Sequence, residues 1–248
     1  MRIVIVFAIF LNLSFCQTVQ VKYGVEFGIF GEVGVANATL SKDENSYEIT
    51  LDAKATGFTN SLSGKRREFF YSKGKVYNGV LVPDFYKHEV YRTKSGKNRI
   101  DRKIFTFNHD EKSVHFVREK GVQNEKIEKV SDEKLGYYAR NDLLSLFFNF
   151  SKMKIPQNKF SLSAVGAKNE NGKIDIIIPQ DRQKLRVQKE LETQSNPFIV
   201  FINQKIFSSS KGELYLSLDK NGYASKAILK DVVFFGDIVA SIKEIFVK

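Results

Sequence analysis

The sequence contains a single cysteine, Cys16, no tryptophan and only four prolines. One cysteine cannot form an intramolecular disulfide, and it cannot supply the cluster of thiolates that a structural zinc site needs. The fold must therefore be stabilised by its hydrophobic core, which a chain of 248 residues is long enough to bury. With so few prolines, and with no internal repeat or low-complexity tract, the sequence gives no sign of a division into domains.

Signals of catalysis are also scarce. The three histidines, His88, His109 and His115, do not show the H-x-x-x-H or H-E-x-x-H spacing of a metal site. No serine lies in the G-x-S-x-G pattern of a nucleophile elbow. We predict no enzymatic activity, no metal and no cofactor. A hydrolase would have to use the only local cluster of titratable groups, which is Asp84, His88 and Glu89.

The first sixteen residues have the pattern of a secretory signal peptide. Arg2 is followed by an uncharged apolar run over residues 3–11 and by a short exit that ends at Cys16. A membrane-spanning helix needs roughly 20 apolar residues, so this run is too short for a good anchor. We predict cleavage between Cys16 and Gln17 and a single exported domain over residues 17–248, located in the periplasm. The alternative is that Cys16 carries a lipid and anchors the protein to a membrane.

The chain is basic, with 39 lysines and arginines against 28 acidic residues and a net charge of +11. Such charge often indicates nucleic-acid binding, but export argues against nucleic acid as the partner. The basic residues that cluster most densely in sequence are Lys65, Arg66, Arg67, Lys97, Arg99, Arg102 and Lys103. They either protect solvated loops and edge strands or contact an anionic membrane surface, where each basic residue contributes about 1 kcal/mol.

Hydrophobic residues after the leader repeat with a period of two, which is typical of strands with one buried face. Residues 47–55, 174–178 and 214–218 all alternate in this way. Asn-Gly pairs at residues 78–79 and 221–222 favour tight hairpin turns. The sequence predicts a mainly β fold, in which a curved antiparallel sheet forms an open or partial barrel with one or two short helices packed on it.

A short helix is predicted over residues 142–152. Asn141 or Asp142 can cap its N-terminus, and the leucines and phenylalanines that follow form one apolar stripe. The helix either plugs the curved sheet or acts as a mobile lid over a lipid cavity. A second segment, residues 180–194, fits helix and strand patterns almost equally, and we predict a strand.

Four segments together resemble one family of exported bacterial proteins. They are a Gly-rich hairpin and strand over residues 23–55, a Pro-containing segment over residues 79–86, an Asp-x-x-Ser helix start within residues 140–146 and a hairpin that begins at residues 212–219. In this order they resemble domain-of-unknown-function family 3108. The resemblance implies a β-rich exported domain and no catalytic residues. More distantly, the chain resembles the half-open barrels of periplasmic lipoprotein carriers, which shelter acyl chains.

The sequence therefore predicts a non-catalytic periplasmic protein that binds or carries a hydrophobic ligand, either a lipid or an acyl chain. The side chains predicted to line its cavity are Phe27, Phe30, Leu144, Phe147 and Phe148. Such a cavity binds through buried apolar area, at about 25 cal/mol per Å². Two alternatives stay open: an envelope scaffold with a filled core that docks partners through a sheet edge or the basic clusters, and a hydrolase of envelope polymers. The oligomeric state is also open.

Overall fold

One curved sheet dominates the structure, a computed structural model that describes residues 16–155, 157–167, 170–201, 212–232 and 236–248. Within these ranges fifteen strands join in the sheet. The first eight are β1 (Gln17–Phe27), β2 (Glu32–Lys42), β3 (Ser46–Ala55), β4 (Arg67–Tyr77), β5 (Val80–Lys94), β6 (Lys97–Asn108), β7 (Ser113–Val122) and β8 (Ile127–Lys134). The others are β9 (Asn141–Asp142), β10 (Lys159–Val165), β11 (Lys173–Ile177), β12 (Phe198–Phe201), β13 (Glu213–Leu218), β14 (Ala224–Val232) and β15 (Gly236–Val247).

The sheet is organised around the pairing of its first and last strands. β1 pairs with β15, and the order runs outward from this pair through β2 to β8 on one side and through β14 to β9 on the other. The strand pairs are antiparallel except β9 and β10, which are parallel. The described strands do not close into a ring, because β8 and β9 are the two edges. The predicted curved, mainly antiparallel sheet that forms an open barrel is therefore confirmed.

Short helices accompany the sheet, and three are present in the described ranges: α1 (Gly57–Leu62), α2 (Leu143–Asn149) and α3 (Asp181–Leu191). α2 continues as a 3-10 turn over Phe150–Lys152. Asp142 is the N-cap of α2. The helix predicted over residues 142–152 is therefore confirmed, together with one of its two candidate caps.

The strand predicted over residues 180–194 is wrong, because this segment contains α3. Leu185 and Val187 fit the alternation of a strand in the sequence, but Leu185 is 68% exposed. The buried residues of α3 are Val187 and Leu191, which lie four positions apart and pack against Tyr215. This spacing places both side chains on one face of a helix, and their burial decides the structure of the segment.

The sheet has two faces, and we call the face covered by α2 the inner face and the other the outer face. The inner core consists of two adjoining clusters, one around Ile49 and Tyr86 on β3 and β5 and one around Ile176 on β11. α2 joins them, because Phe148 belongs to the first cluster and Leu146 to the second. α3 packs on the outer face of β12–β14. The apolar interior is thus centred on α2.

Gly74 occupies a bulge where β4 and β5 approach closely. The register shifts between Lys73 and Gly74, and a Cβ atom on Gly74 would overlap the Val82 carbonyl oxygen and the Pro83 Cα atom. We expect Gly74→Ala to lower the free energy of unfolding by about 2 kcal/mol, because backbone atoms must move. Urea denaturation checks this, with Gly136→Ala as the control, since its Cβ would meet no atom within 4 Å. Equal stability of the two variants would contradict the prediction.

Candidate functional site

α2 is held on the inner face by a buried carboxylate. Asp142 Oδ1 accepts hydrogen bonds from the backbone N–H groups of Leu144 at 2.7 Å and Ser145 at 2.9 Å. Asp142 Oδ2 accepts a hydrogen bond from the Ser72 hydroxyl on β4 at 2.6 Å, and Ser72 Oγ lies 3.0 Å from Tyr47 Oη. Burial raises the pKa of Asp142 to about 6, although the hydrogen bonds from Ser72, Ser145 and Leu144 favour its charged form. The cap therefore bonds the helix to the sheet.

A buried amide fixes the other end of α2. Asn149 is 1% exposed. Its Oδ1 accepts a hydrogen bond from the Leu81 N–H at 2.9 Å, and its Nδ2 donates to the Leu81 carbonyl oxygen at 2.7 Å. The side chain thus bonds to β5 as a neighbouring strand would. Because both ends of α2 are bonded to the sheet, the geometry favours a plug over a mobile lid.

The five side chains predicted to line an acyl-chain cavity lie in two places. Leu144 and Phe148 are buried in the inner core, and Phe147 is half-buried beside them. Phe27 and Phe30 lie at the C-terminal end of β1 and just after it, with ring centroids 6.1 Å apart. That all five line one cavity stays a prediction.

The inner face changes from aromatic to cationic between two neighbouring rows of side chains on β5–β7. The strand register defines the aromatic row, which is Tyr86, Phe105 and Phe116. It also defines a row two residues away on each strand, His88, Lys103 and Arg118, which we call the cationic row after Lys103 and Arg118. Side chains two apart on a strand point to the same face. The two rows are therefore neighbours on one surface.

The cationic row lines a cavity of about 520 Å³, which we call the cationic cavity. Its walls come from β5–β8 and from the residue before β4. Seven basic side chains line it: Arg66, Arg92, Arg99, Lys103, Arg118, Lys120 and Lys126. Only two carboxylates, Asp101 and Glu128, accompany them among the described lining residues. A concave site with an excess of one charge concentrates its field, so this cavity attracts anions.

Carboxylates hold some of these cations in place and leave others uncompensated. Arg118 forms a two-pronged ion pair with Asp101, with N–O distances of 2.9 and 2.6 Å. By contrast, no carboxylate of the described residues forms an ion pair with Arg92, Arg99 or Lys103 within 4.0 Å. Burial lowers the pKa of Lys103, the charge of Arg118 lowers it further, and Asp101 acts in the opposite direction. The cavity thus contains fixed and unpaired cations side by side.

His88 is fixed at the border between the aromatic and cationic regions. Its Nε2 lies 2.8 Å from Glu68 Oε2, and its ring stacks on Phe70 with the centroids 4.1 Å apart. Burial would raise the pKa of Glu68, but the hydrogen bond from His88 and the charge of Arg66 lower it to about 2. Glu68 therefore stays ionised at neutral pH and positions both His88 and Arg66.

The structure divides the predicted basic clusters between the two faces. Arg66, Arg99 and Lys103 line the cationic cavity. Arg67 and Arg102 lie on the outer face, where each pairs with carboxylates at N–O distances between 2.5 and 2.8 Å. The clusters are therefore not one continuous surface, because neighbouring residues on a strand point in opposite directions.

The remaining predicted basic residues, Lys65 and Lys97, lie in or next to turns. Lys65 precedes β4 with a positive φ of 54°, and Lys97 begins β6 and lies 3.4 Å from Glu125. Sequence reasoning missed four of the basic cavity residues: Arg92, Arg118, Lys120 and Lys126. A hairpin centred near residues 110–111 places residue 118 beside residue 103. The turn signal there, combined with the alternation, could have identified Arg118.

The trio Asp84, His88 and Glu89 does not converge on one site. His88 and Glu89 are adjacent on β5 and point to opposite faces. Glu89 is buried on the outer face, where its Oε1 lies 2.5 Å from Arg102 Nε. Asp84 lines a separate polar cavity of about 650 Å³, together with His109. The geometry gives this trio no shared catalytic position.

The other two histidines have structural partners. His109 Nδ1 lies 2.7 Å from Tyr138 Oη, and its Nε2 lies 2.7 Å from the Pro83 carbonyl oxygen. His115 pairs with Asp132 at 2.8 Å on the surface. In the part of the chain that the structure describes, no three or more His, Cys, Asp or Glu side chains form a group that could hold a metal ion. No described helix has the length and apolar character needed to cross a membrane.

Comparison with known proteins does not assign the chain to a family, since no family model matches it. Over 171 residues, which are 64% of this chain, it is 33% identical to a putative transposase for insertion sequence element IS4SA from Synechocystis. The chain spans about half the length of that protein, 49%. A solved structure, a β-barrel-like protein of domain of unknown function DUF1849 from Brucella abortus, aligns with 94% of this chain and 98% of its own, with a TM-score of 0.45 and 7% identity. Membership of family 3108 therefore stays a prediction.

Proposed function

We propose that the chain is a non-catalytic binding protein that carries a lipid or an acyl chain on the inner face of its sheet. The observation that carries this proposal is the change from the aromatic row to the cationic row within two residues of each strand. A lipid has the same division, because its acyl chain is apolar and its head group is polar or charged.

Half-buried apolar side chains at the border of the core offer a surface for an acyl chain. Leu51, Phe70 and Phe116 pack against the buried cluster and remain partly accessible. Contact with an acyl chain would remove their surface from water, and each buried methylene of the ligand contributes about 0.8 kcal/mol. Because α2 is bonded to the sheet at both ends, we place the acyl chain beside this helix and not beneath it.

The proposed export rests on the leader pattern of the sequence. β1 begins at Gln17, the first residue after the predicted cleavage site, and Cys16 is exposed. The predicted signal peptide itself falls on residues 1–15, outside the described residues, and on Cys16. We propose that the leader is removed and that the protein acts in the periplasm. The mass of the mature N-terminus distinguishes this from attachment through a lipidated Cys16.

Two features favour ligand binding over the alternative functions. His88 and Glu89 point to opposite faces, so the only cluster proposed for hydrolysis has no common substrate position. The edge strand β8 is mostly exposed and is rich in both acidic and basic side chains. Such an edge is protected against the addition of a further strand, which argues against docking of a partner there.

Lipid extraction and ligand uptake test the proposal. We expect mass spectrometry of an organic extract of the purified protein to show bound lipid, and a fluorescent fatty acid to bind to the delipidated protein. Phe70→Ser should weaken that binding about tenfold, because an aromatic contact worth about 1.5 kcal/mol is lost. Its control is Phe69→Ser, which removes the neighbouring ring from the outer face. Absence of both extracted lipid and fatty-acid uptake, or equal losses in the two variants, would overturn the proposal.

A further inference from the structure

We propose that the cationic cavity is a binding site for a phosphomonoester, a phosphate group with two negative charges. The inference rests on the proposed function in one respect, since it names the head group of the carried lipid. The anion site itself stands on the geometry of β4–β8 and can be tested with a soluble ligand.

Like charges face each other across the strands of this site. Lys103 on β6 pairs in register with Arg118 on β7. Arg92 on β5 pairs in register with Arg99 on β6. Directly opposed like charges destabilise a sheet. Two such arrangements facing one cavity indicate that a ligand, and not the fold, requires these cations.

The outer face of the same strands shows the contrast. There Arg102 on β6 pairs in register with Glu89 on β5 and Glu119 on β7, at N–O distances of 2.5 and 2.8 Å. In this row of the outer face, opposite charges thus face each other across β5, β6 and β7, an arrangement that stabilises a sheet. The inner-face pairs Lys103–Arg118 and Arg92–Arg99 of the same strands have the opposite character.

The geometry favours a phosphate with several free oxygens over a carboxylate. Neighbouring strands lie about 4.8 Å apart, so the cationic row presents charges at intervals that a tetrahedral anion can bridge. Asp101 accepts hydrogen bonds from Nε and Nη2 of Arg118, which fixes the guanidinium and leaves its Nη1 edge to donate to phosphate oxygens. Lys103 and Arg99 supply the uncompensated charge that a dianion neutralises. A volume of about 520 Å³ holds such a head group.

The aromatic border fixes the direction of the ligand. Phe70 and Phe116 adjoin the cationic row, and Phe70 stacks on His88. The chain attached to a phosphate bound in the cavity would therefore point toward the aromatic row. A lipid phosphomonoester meets this requirement, and a soluble phosphomonoester meets only the charge requirement.

Binding of glycerol 3-phosphate and of vesicles tests the site in the mature protein. We expect calorimetry at low ionic strength to show glycerol 3-phosphate binding, weakened at least tenfold by Arg99→Gln and by Lys103→Gln. Arg67→Gln, which removes the same charge from the outer face, should change the affinity less than twofold. Vesicles of phosphatidylcholine containing phosphatidic acid should bind more tightly than phosphatidylcholine alone. Binding of glycerol 3-phosphate without any preference for these vesicles would assign the site to a soluble phosphomonoester.

Charge reversal separates a binding role from a folding defect. Lys103→Glu places a carboxylate opposite Arg118, so we expect a higher melting temperature together with loss of glycerol 3-phosphate binding. Unchanged glycerol 3-phosphate binding by Lys103→Glu would overturn the proposed site even if fatty-acid uptake persisted. The site would also be overturned if Arg67→Gln weakened this binding as much as Arg99→Gln and Lys103→Gln do. Loss of fatty-acid uptake alone would instead overturn the proposed carrier function. Tighter binding of a twelve-nucleotide single-stranded DNA than of the phosphatidic acid vesicles would replace the proposal with nucleic-acid binding.

Discussion

Asp142→Ala is expected to lower the free energy of unfolding by about 4 kcal/mol. The change removes the cap of α2 and leaves the N–H groups of Leu144 and Ser145 without a side-chain acceptor. It also leaves the Ser72 hydroxyl buried without its carboxylate partner. Because the helix joins the two halves of the inner core, its loss exposes apolar surface on both. Urea denaturation monitored by circular dichroism measures the effect.

Asp142→Asn is the matched control, and it isolates the charge. The amide can accept the two backbone hydrogen bonds and donate to Ser72, so at about pH 4 and below, where Asp142 is protonated, we expect a stability close to that of the parent protein. A fall as large as that of Asp142→Ala would contradict the assignment of the cap.

The same pair of proteins should differ in pH dependence. The folded-state pKa of Asp142 is about 6, above the value of about 3.9 for an unfolded chain. The folded state therefore binds this proton more tightly, and the stability due to this carboxyl is greatest below about pH 4. It falls as the pH rises to 6, by about 3 kcal/mol in total. The free energy of unfolding of the parent protein minus that of Asp142→Asn should therefore decrease as the pH rises from 4 to 6. An increase of this difference with pH would contradict the prediction.

Asn149→Ala is expected to lower the free energy of unfolding by about 3 kcal/mol. Its amide is the partner of both the N–H and the carbonyl oxygen of Leu81, and all three groups are buried. Removal leaves two backbone groups without partners, each of which costs about 1–3 kcal/mol. Thermal and urea denaturation provide the measurement.

Asn149→Asp sharpens this second prediction. The carboxylate is nearly the same size, but one of its oxygens would face the Leu81 carbonyl oxygen instead of donating to it. We expect a loss at least as large as that of the alanine variant at pH 7. Asn141→Ala, which removes only the 3.1 Å bond to Asn149, should be far milder. A loss below 1 kcal/mol in both Asn149 variants would show that the amide does not anchor the helix.

The strands and the main helix could be predicted because their signals are local. Alternation over residues 47–55 identifies one buried face, and Tyr47 and Ile49 are indeed buried there. The Asp142 cap needs only the three residues that follow it. α3 was missed because Leu185 and Val187 mimic a strand, and only contact with β12–β14 shows which residues are buried.

The cationic cavity could not be recognised from clusters along the chain. Lys103 and Arg118 become neighbours only through the β6–β7 register, and Arg92 and Arg99 only through the β5–β6 register. A dense cluster in sequence such as residues 97–103 does not identify a single surface, because alternate residues of a strand point to opposite faces of the sheet. Pairing between strands, and not proximity in sequence, decides which charges act together.

The pairing of β1 with β15 has a consequence for the order of folding. Thr18 and Lys248 exchange backbone hydrogen bonds of 3.0 and 2.9 Å, so residues 230 positions apart in sequence meet at the central seam of the sheet. Contacts between residues so distant in sequence form slowly. Each wing of the sheet consists mostly of hairpins between consecutive strands, so we expect the wings to form first and the seam between them to close last.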